Sequence, residues 1–462
     1  MSLSWSHYRP TRTDVRDLLR LAIPIVLIQV GMMLLGVVDT IMVGHVSPTA
    51  LAAVALGNLY TFGLSIFGLG VLLSLDPIVA QALGAKDHVA VSRGLQRGLI
   101  LSVVLTVPTS LVLLTVDPVL TLVRQPAEVI PYAAGYVYRV LPGVWPFFAF
   151  VVFRQTLQAH HRTTPIMATI VVTNVINVAL NYAWIFGHFG FPAMGVLGSA
   201  WATMVSRWLM AGMLLVLGWR YLHPYLRRLA PQVFDVAAIG RMLRIGTPIG
   251  TQMILEWGAF GTVALLMGWL GTVQVAAHQV AINLASLTFM VPLGVSSAAA
   301  VVVGHAVGRE DPDGVRRSSF TALMVGAGFM ALTAIIFVSI PGFLAGLYTT
   351  DPGVLSLAVV LLPIAGVFQV FDGIQVVSIG LLRGLGDTRV PMLTSILGFW
   401  CLGMPVSLWL AFGRDMGAVG LWWGLVVGLA AVAVFLVIRI KHREEYDLAR
   451  IIIDERTEVG HE

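Results

Sequence analysis

The 462-residue chain is 58% hydrophobic and only 11% charged, with a mean hydropathy of +0.88, which excludes a soluble globular domain, where about a quarter of residues are charged. Its net charge of +5 and pI of about 9.5 do not indicate a nucleic-acid binder, because the basic residues fall between apolar runs and form no single patch. The lone cysteine, Cys401, lies inside an apolar run and excludes an intrachain disulfide.

Windows of about 20 apolar residues, enough helix to cross the hydrocarbon core, predict twelve spans. They lie at residues 18–40, 50–75, 95–116, 129–153, 164–186, 193–217, 245–270, 276–302, 319–340, 354–381, 391–412 and 416–438. The runs are continuous and do not alternate apolar with polar as barrel strands do, so the fold is an all-α membrane protein. The first run is full length and is followed by Thr40-Ile41-Met42, which is no small-residue cleavage site.

Basic residues orient the spans. Arg9, Arg12, Arg16 and Arg20 precede the first, Lys86, Arg93 and Arg97 follow the second, and Arg154 and Arg162 follow the fourth. Arg220, Arg227, Arg228, Arg241 and Arg244 fill the centre, Arg309, Arg316 and Arg317 follow the eighth, and Arg439, Lys441, Arg443, Arg450 and Arg456 close the chain. The alternate loops hold only Arg124 and Arg414. This asymmetry places both termini and the central linker in the cytoplasm of a multi-pass protein, with the bacterial cytoplasmic membrane as the expected location.

The chain also matches itself. LLRLAIP (Leu18 to Pro24) aligns with MLRIGTP (Met242 to Pro248), and VAQALGAKD (Val79 to Asp87) with VGHAVGRED (Val303 to Asp311), both at an offset of 224 residues. Each repeat carries six spans, an even number, so the two run the same way through the bilayer and are related by a pseudo-two-fold axis along its normal. The expected organisation is an N-terminal lobe at 1–218, a linker at 219–244, a C-terminal lobe at 245–440 and a charged tail at 441–462, with a V-shaped cleft between the lobes. Nothing resembles a channel's selectivity filter, a P-loop, a metal-ligand spacing or a nucleophile elbow.

Three carboxylates, Asp39, Glu256 and Asp372, stand alone inside apolar runs. Each costs about 2.5 to 3.5 kcal/mol at mid-span and the three together about 8 to 10 kcal/mol, so such acids usually bind ions, protons or cationic ligands. Asn174, Asn177 and Asn181 share one helical face and could partner Asp39, although intramembrane Asn also serves to join helices. Glu256 lies twelve residues past Arg244, about 18 Å of helix, which is too deep to snorkel. Without a neighbouring cation, Glu256 and Asp372 either share a proton or bind a cation between them. Met32, Met253, Trp257 and Phe289 offer either a plastic, promiscuous drug surface or simple packing. His278 and Gln279, in VAAHQVAIN, either support Glu256 or pack helices.

DTIMVGHVSPTALAAVALGN (Asp39 to Asn58), VAAHQVAIN, TTDPGV and LLRGLGDTRVPM closely resemble the multidrug and toxic compound extrusion (MATE) family, in its NorM-like branch, and the likeness covers both halves. It implies a cation-coupled antiporter that exports amphipathic, often cationic, toxic compounds by alternating access. It further implies an N-lobe polar site of Asp39, Asn177 and Asn181 and a C-lobe cation site of Glu256 and Asp372, with Na+ or H+ as the coupling ion and no other cofactor. The expected partners are small-molecule drugs, a monovalent cation and the lipid bilayer, with no nucleic acid, and the chain is expected to be a monomer and not an enzyme. One position departs from the branch: Phe368 stands where a tyrosine is expected one turn before Asp372, which removes a hydroxyl from the oxygen set that a hard cation needs. A lipid-precursor flippase would need an arginine-lined cleft, and Arg139 is read as the only deep arginine. A non-transporting receptor or scaffold would leave the unpaired acids without purpose.

Overall fold

The computed structural model describes residues 10–227, 231–446 and 448–454. Arg9, Arg228 and Arg456 of the orientation argument, and tail residues 447 and 455–462, lie outside them. Among the described residues twelve helices are long and apolar enough to cross a membrane, and they coincide with the twelve predicted spans. They are α1 (Arg12–Gly44), α2 (Pro48–Gly84), α3 (His88–Leu113), α4 (Ile130–Ala159), α5 (Thr164–Phe186), α6 (Val196–Leu217), α7 (Val236–Leu270), α8 (Thr272–Gly308), α9 (Pro312–Ser339), α10 (Pro352–Gly384), α11 (Arg389–Gly413) and α12 (Gly417–Glu445). The protein is a multi-pass membrane protein.

The repeated motif at 79–87 and 303–311 encodes a helix-to-helix corner. Lys86 and Glu310 take left-handed backbone, with φ of 57° and 55°. The next residues, Asp87 and Asp311, donate their backbone N–H to Ala82 and Ala306 and so close the helix end. Their side chains then accept from the N–H of Ala90 (2.9 Å) and Gly314 (2.8 Å), capping α3 and α9. One short sequence thereby ends a span and starts the next, at the same place in each repeat.

The described chain forms two compact units. One comprises Leu27–Gly250 with residues 452–454; the other comprises Thr251–Ile451 with the residues up to Val26. Each has its own apolar core, one including Val71, Leu75, Phe148 and Phe150, the other Leu361, Leu381, Trp422 and Leu429. In the first unit a Cβ on Gly70 of α2 would overlap the Cα of Gly250 in α7. In the second a Cβ on Gly294 of α8 would overlap a side-chain carbon of Val26 in α1. The two contacts are the same contact under the 224-residue offset, so the repeat conserves a backbone approach as well as a sequence.

In the second unit α12 presents Gly420, Gly424 and Gly428 along one stripe, a small-residue seam of the kind that brings membrane helices together. A Cβ on Gly424 would overlap the backbone of Ser407 in α11, and one on Gly428 would lie 2.6 Å from the carbonyl of Gly398. Across this contact α11 widens into π-helical turns at Ile396–Gly403 and Trp409–Gly413. Because backbone cannot step aside as a side chain can, Gly424→Leu is expected to lower the melting temperature in detergent by about 2 °C or more, an overpacking cost of more than about 1 kcal/mol. Gly328→Ala, at a site with nothing within 4 Å, leaves it unchanged.

Beyond α12 the chain returns to the first unit. There Asp454 meets Arg97 at 2.7 Å and Arg93 at 3.1 Å, and Arg97 also donates to the carbonyl of Gln232 at 2.6 Å. Burial opposes ionisation of Asp454, but the hydrogen bonds and charges of Arg97 and Arg93 outweigh it and hold the carboxyl below its ordinary value of 3.8. A depressed carboxylate stabilises docking above the free-chain pKa and loses that contribution as pH falls through the lower, docked value. A spin label placed near Ile453 is therefore expected to stay immobilised at about pH 5 to 7 and to loosen below about pH 4, and Asp454→Asn to loosen it at neutral pH.

Candidate functional site

The first unit gathers its polar residues around Asp39. This side chain, only 3% exposed, does not snorkel to water. Its Oδ1 accepts from Asn181 Nδ2 at 2.6 Å and its Oδ2 from Thr203 Oγ1 at 2.7 Å. Asn181 also donates to Asn177 Oδ1 at 3.1 Å, and Asn177 Nδ2 donates to Ser206 Oγ at 3.2 Å. The Tyr136 hydroxyl, 3.5 Å from that of Thr203, donates to Asn58 Oδ1 at 2.8 Å. The acid of α1 is thus held by neutral donors from α5 and α6, and Asn181 keeps a buried carbonyl oxygen without a hydrogen-bond partner.

Asn174 does not join this group. It lies one turn nearer the start of α5, where its amide donates to the carbonyls of Gly31 (3.0 Å) and Ile170 (2.9 Å). Gly31 brings α1 so close that a Cβ there would overlap the Ile170 side chain. Asn174 therefore joins two helices, as intramembrane amides commonly do.

In the second unit Glu256 of α7 is the centre. Its Oε1 accepts from Gln375 of α10 at 2.7 Å, from Ser395 of α11 at 3.0 Å and from Gln252, one turn earlier on α7, at 3.1 Å. Ser395 immediately precedes the π-helical stretch of α11, from which Trp400 donates to the carbonyl of Leu255 at 3.1 Å. The irregular turn thus braces α7 beside the acid. Asp372, buried on α10 one turn before Gln375, lies within electrostatic reach of Glu256. Its carboxylate has no hydrogen-bond partner among the described residues. Two carboxylates, a hydroxyl and two amides supply hard oxygen ligands of the kind that sodium takes, and the acid pair can equally share one proton.

Phe368 contributes nothing polar here. Its ring is 2% exposed and packs edge-on against Phe260 (6.0 Å) and Trp422 (5.7 Å). His278 packs against the same Trp422 at 5.6 Å, while Gln279 is exposed and donates to Asn283 at 3.1 Å. Met32 accepts a contact from Arg154 Nη1 at 3.3 Å. Trp257 is exposed, Met253 half-buried, and Phe289 packs against the second unit's core.

Several participants carry no distinguishing mark in the sequence. Thr203, Ser206 and Tyr136 at one acid, and Gln252, Gln375 and Ser395 at the other, are common residues, though Gln252 stands one turn from Glu256 and Gln375 one turn from Asp372. Asp76, a further buried acid, accepts from Gln155 on α4. The reading of Arg139 as the only deep arginine is corrected. Arg154 lies inside α4 and is 6% exposed, and Arg207 stands at the middle of α6 with its guanidinium 5.2 Å from the centre of the Phe147 ring. Arg139 itself only donates to its own turn, at Gly135.

The family model MatE matches the chain twice, at residues 24–183 and 248–409, the two matches starting 224 residues apart. A probable multidrug resistance protein NorM of Rhizobium meliloti is 37% identical over 433 residues, 92% of each chain. A multidrug resistance protein MdtK of Pectobacterium atrosepticum is 35% identical over 449 residues, 95% of this chain and 98% of the other. Among solved structures, the eukaryotic MATE transporter AtDTX14 superposes with a TM-score of 0.84 at 23% identity, covering 94% of this chain and 98% of its own. An outward-facing MATE family transporter of the MOP superfamily gives 0.85 at 20% identity, covering 95% and 99%. The twofold match of one family model, on the repeat that the sequence itself displays, shows that the chain belongs to the MatE family, the MATE transporters.

Proposed function

We propose that this chain is a multidrug efflux antiporter driven by Na+ or H+, residing in the bacterial cytoplasmic membrane with both termini cytoplasmic. The observation that carries the reading is Glu256: a mid-span carboxylate held by three neutral donors, with a second carboxylate beside it and, among the described residues, no cation paired with either. Such a pair binds a proton or a monovalent cation readily and gives it up when its surroundings change. The relatives named as multidrug resistance proteins support a drug as the exchanged solute.

The proposed cycle is an exchange. An ion arriving from outside neutralises Glu256 and Asp372, with Ser395 and the two glutamines completing its oxygen shell, and an amphipathic cation leaves. Reversal of the lobes releases the ion inward and returns an anionic site that attracts the next drug. An inward membrane potential supplies about 2.3 kcal/mol per net charge per 100 mV, enough to concentrate a drug outward when exchange is electrogenic. Phe368, sealed among aromatic rings, offers no ligand, so sodium would rest on the remaining oxygens alone.

Glu256→Gln keeps the shape and removes the charge. Efflux of a fluorescent cation from cells is expected to fall to background, with expression unchanged and the melting temperature equal or raised, since an unbalanced charge inside a span has been removed. Normal efflux in that variant would refute the assignment. In proteoliposomes loaded with the same dye, Na+ and pH gradients imposed separately identify the coupling ion: the driving gradient alone accelerates transport, and the other does not.

A further inference from the structure

Arg207 is a charged group that the exchange cycle leaves unused. It stands eleven residues after Val196, roughly 16 Å of helix into α6, too deep for its side chain to reach water beyond the membrane. Its Nη1 is enclosed and has no hydrogen-bond partner. The guanidinium lies over Phe147 at 5.2 Å, and its stem runs past Gly143, where a Cβ would stand 3.0 Å from Arg207 Cδ. Asp39 and Arg207 attract one another, yet they form no ion pair: both Asp39 oxygens are engaged, by Asn181 and by Thr203. Thr203 precedes Arg207 by one helical turn on the same face. One site in this unit therefore holds an acid and a base that are not spent on each other.

A buried donor left unsatisfied is costly, and more so when it carries charge, so the arrangement favours an anionic partner. Arginine's planar fork matches a carboxylate in particular. We propose that Arg207, backed by Phe147 and one turn from the hydroxyl that holds Asp39, is an anion subsite that recognises the carboxylate of zwitterionic amphiphiles, whose cationic end faces Asp39. The proposal rests on the efflux reading and adds to it the residue that separates zwitterions from simple cations.

The test uses a matched pair of dyes, a rhodamine bearing a free carboxylate and its ethyl ester, titrated by fluorescence anisotropy onto the purified full chain. Arg207→Gln is expected to weaken binding of the carboxylate dye about tenfold and to leave the ester within about twofold, which also shows that the variant is folded. Arg207→Lys, keeping charge but not the fork, falls between. Equal loss for both dyes, or no change for either, overturns the subsite. Wild-type protein that binds the ester but not the carboxylate dye overturns it while leaving the efflux reading intact. Binding of neither dye removes both.

Discussion

A carboxylate inside a bilayer must find its compensation within the protein, and this chain compensates two of its acids with neutral donors. Glu256 takes three hydrogen bonds to one oxygen and Asp39 one to each of two. Neutral donors stabilise charge without cancelling it, so each acid keeps an attraction for a cation, at Asp39 alongside the longer-range attraction of Arg207. Had either been ion-paired with an arginine, as Asp454 beyond α12 is with Arg97 and Arg93, the pair would be closed to ions. The donors come from helices distant in sequence, so the electrostatic requirement at each acid is also a packing requirement on at least three spans.

The repeat explains how two such sites arose without resembling each other. Duplication preserved the corner at residues 79–87 and 303–311 and the glycine approach at Gly70 and Gly294. The acids were not preserved in this way: Asp39 corresponds to Val263 and Glu256 to Met32. Backbone geometry tolerates little change because a Cβ at Gly70 has nowhere to go, whereas an interior surface can exchange polar for apolar residues once a second copy carries the first function.

Composition and local periodicity make several features legible in the amino-acid sequence alone: the twelve spans, the 224-residue offset, the three lone acids and the shared face of Asn177 and Asn181. What escapes such a reading depends on tertiary proximity. Ser395 and Thr203 look like any hydroxyl in a membrane helix until α11 meets α7 and α6 meets α1. Asn174 shows the reverse, since helical periodicity aligns it with its neighbours but the close approach at Gly31 draws its amide to a carbonyl instead. Arg207 is in plain view as the one base of the sixth span. It escapes because arginines flanking spans serve as markers of orientation, and one lying inside a span has no place in that logic.

The compact units do not follow the order of the chain. They divide within α1 after Val26 and within α7 after Gly250, positions equivalent under the offset and just beyond Pro24 and Pro248, each a proline inside its helix. Each copy has therefore lent its opening helical turns to the other copy's core, which is the arrangement of a domain-swapped dimer whose protomers have been fused end to end. A single copy expressed alone would have to take back its own opening turns or associate with a second, so an ancestral half of this protein is more naturally pictured as an intertwined pair than as a self-sufficient monomer.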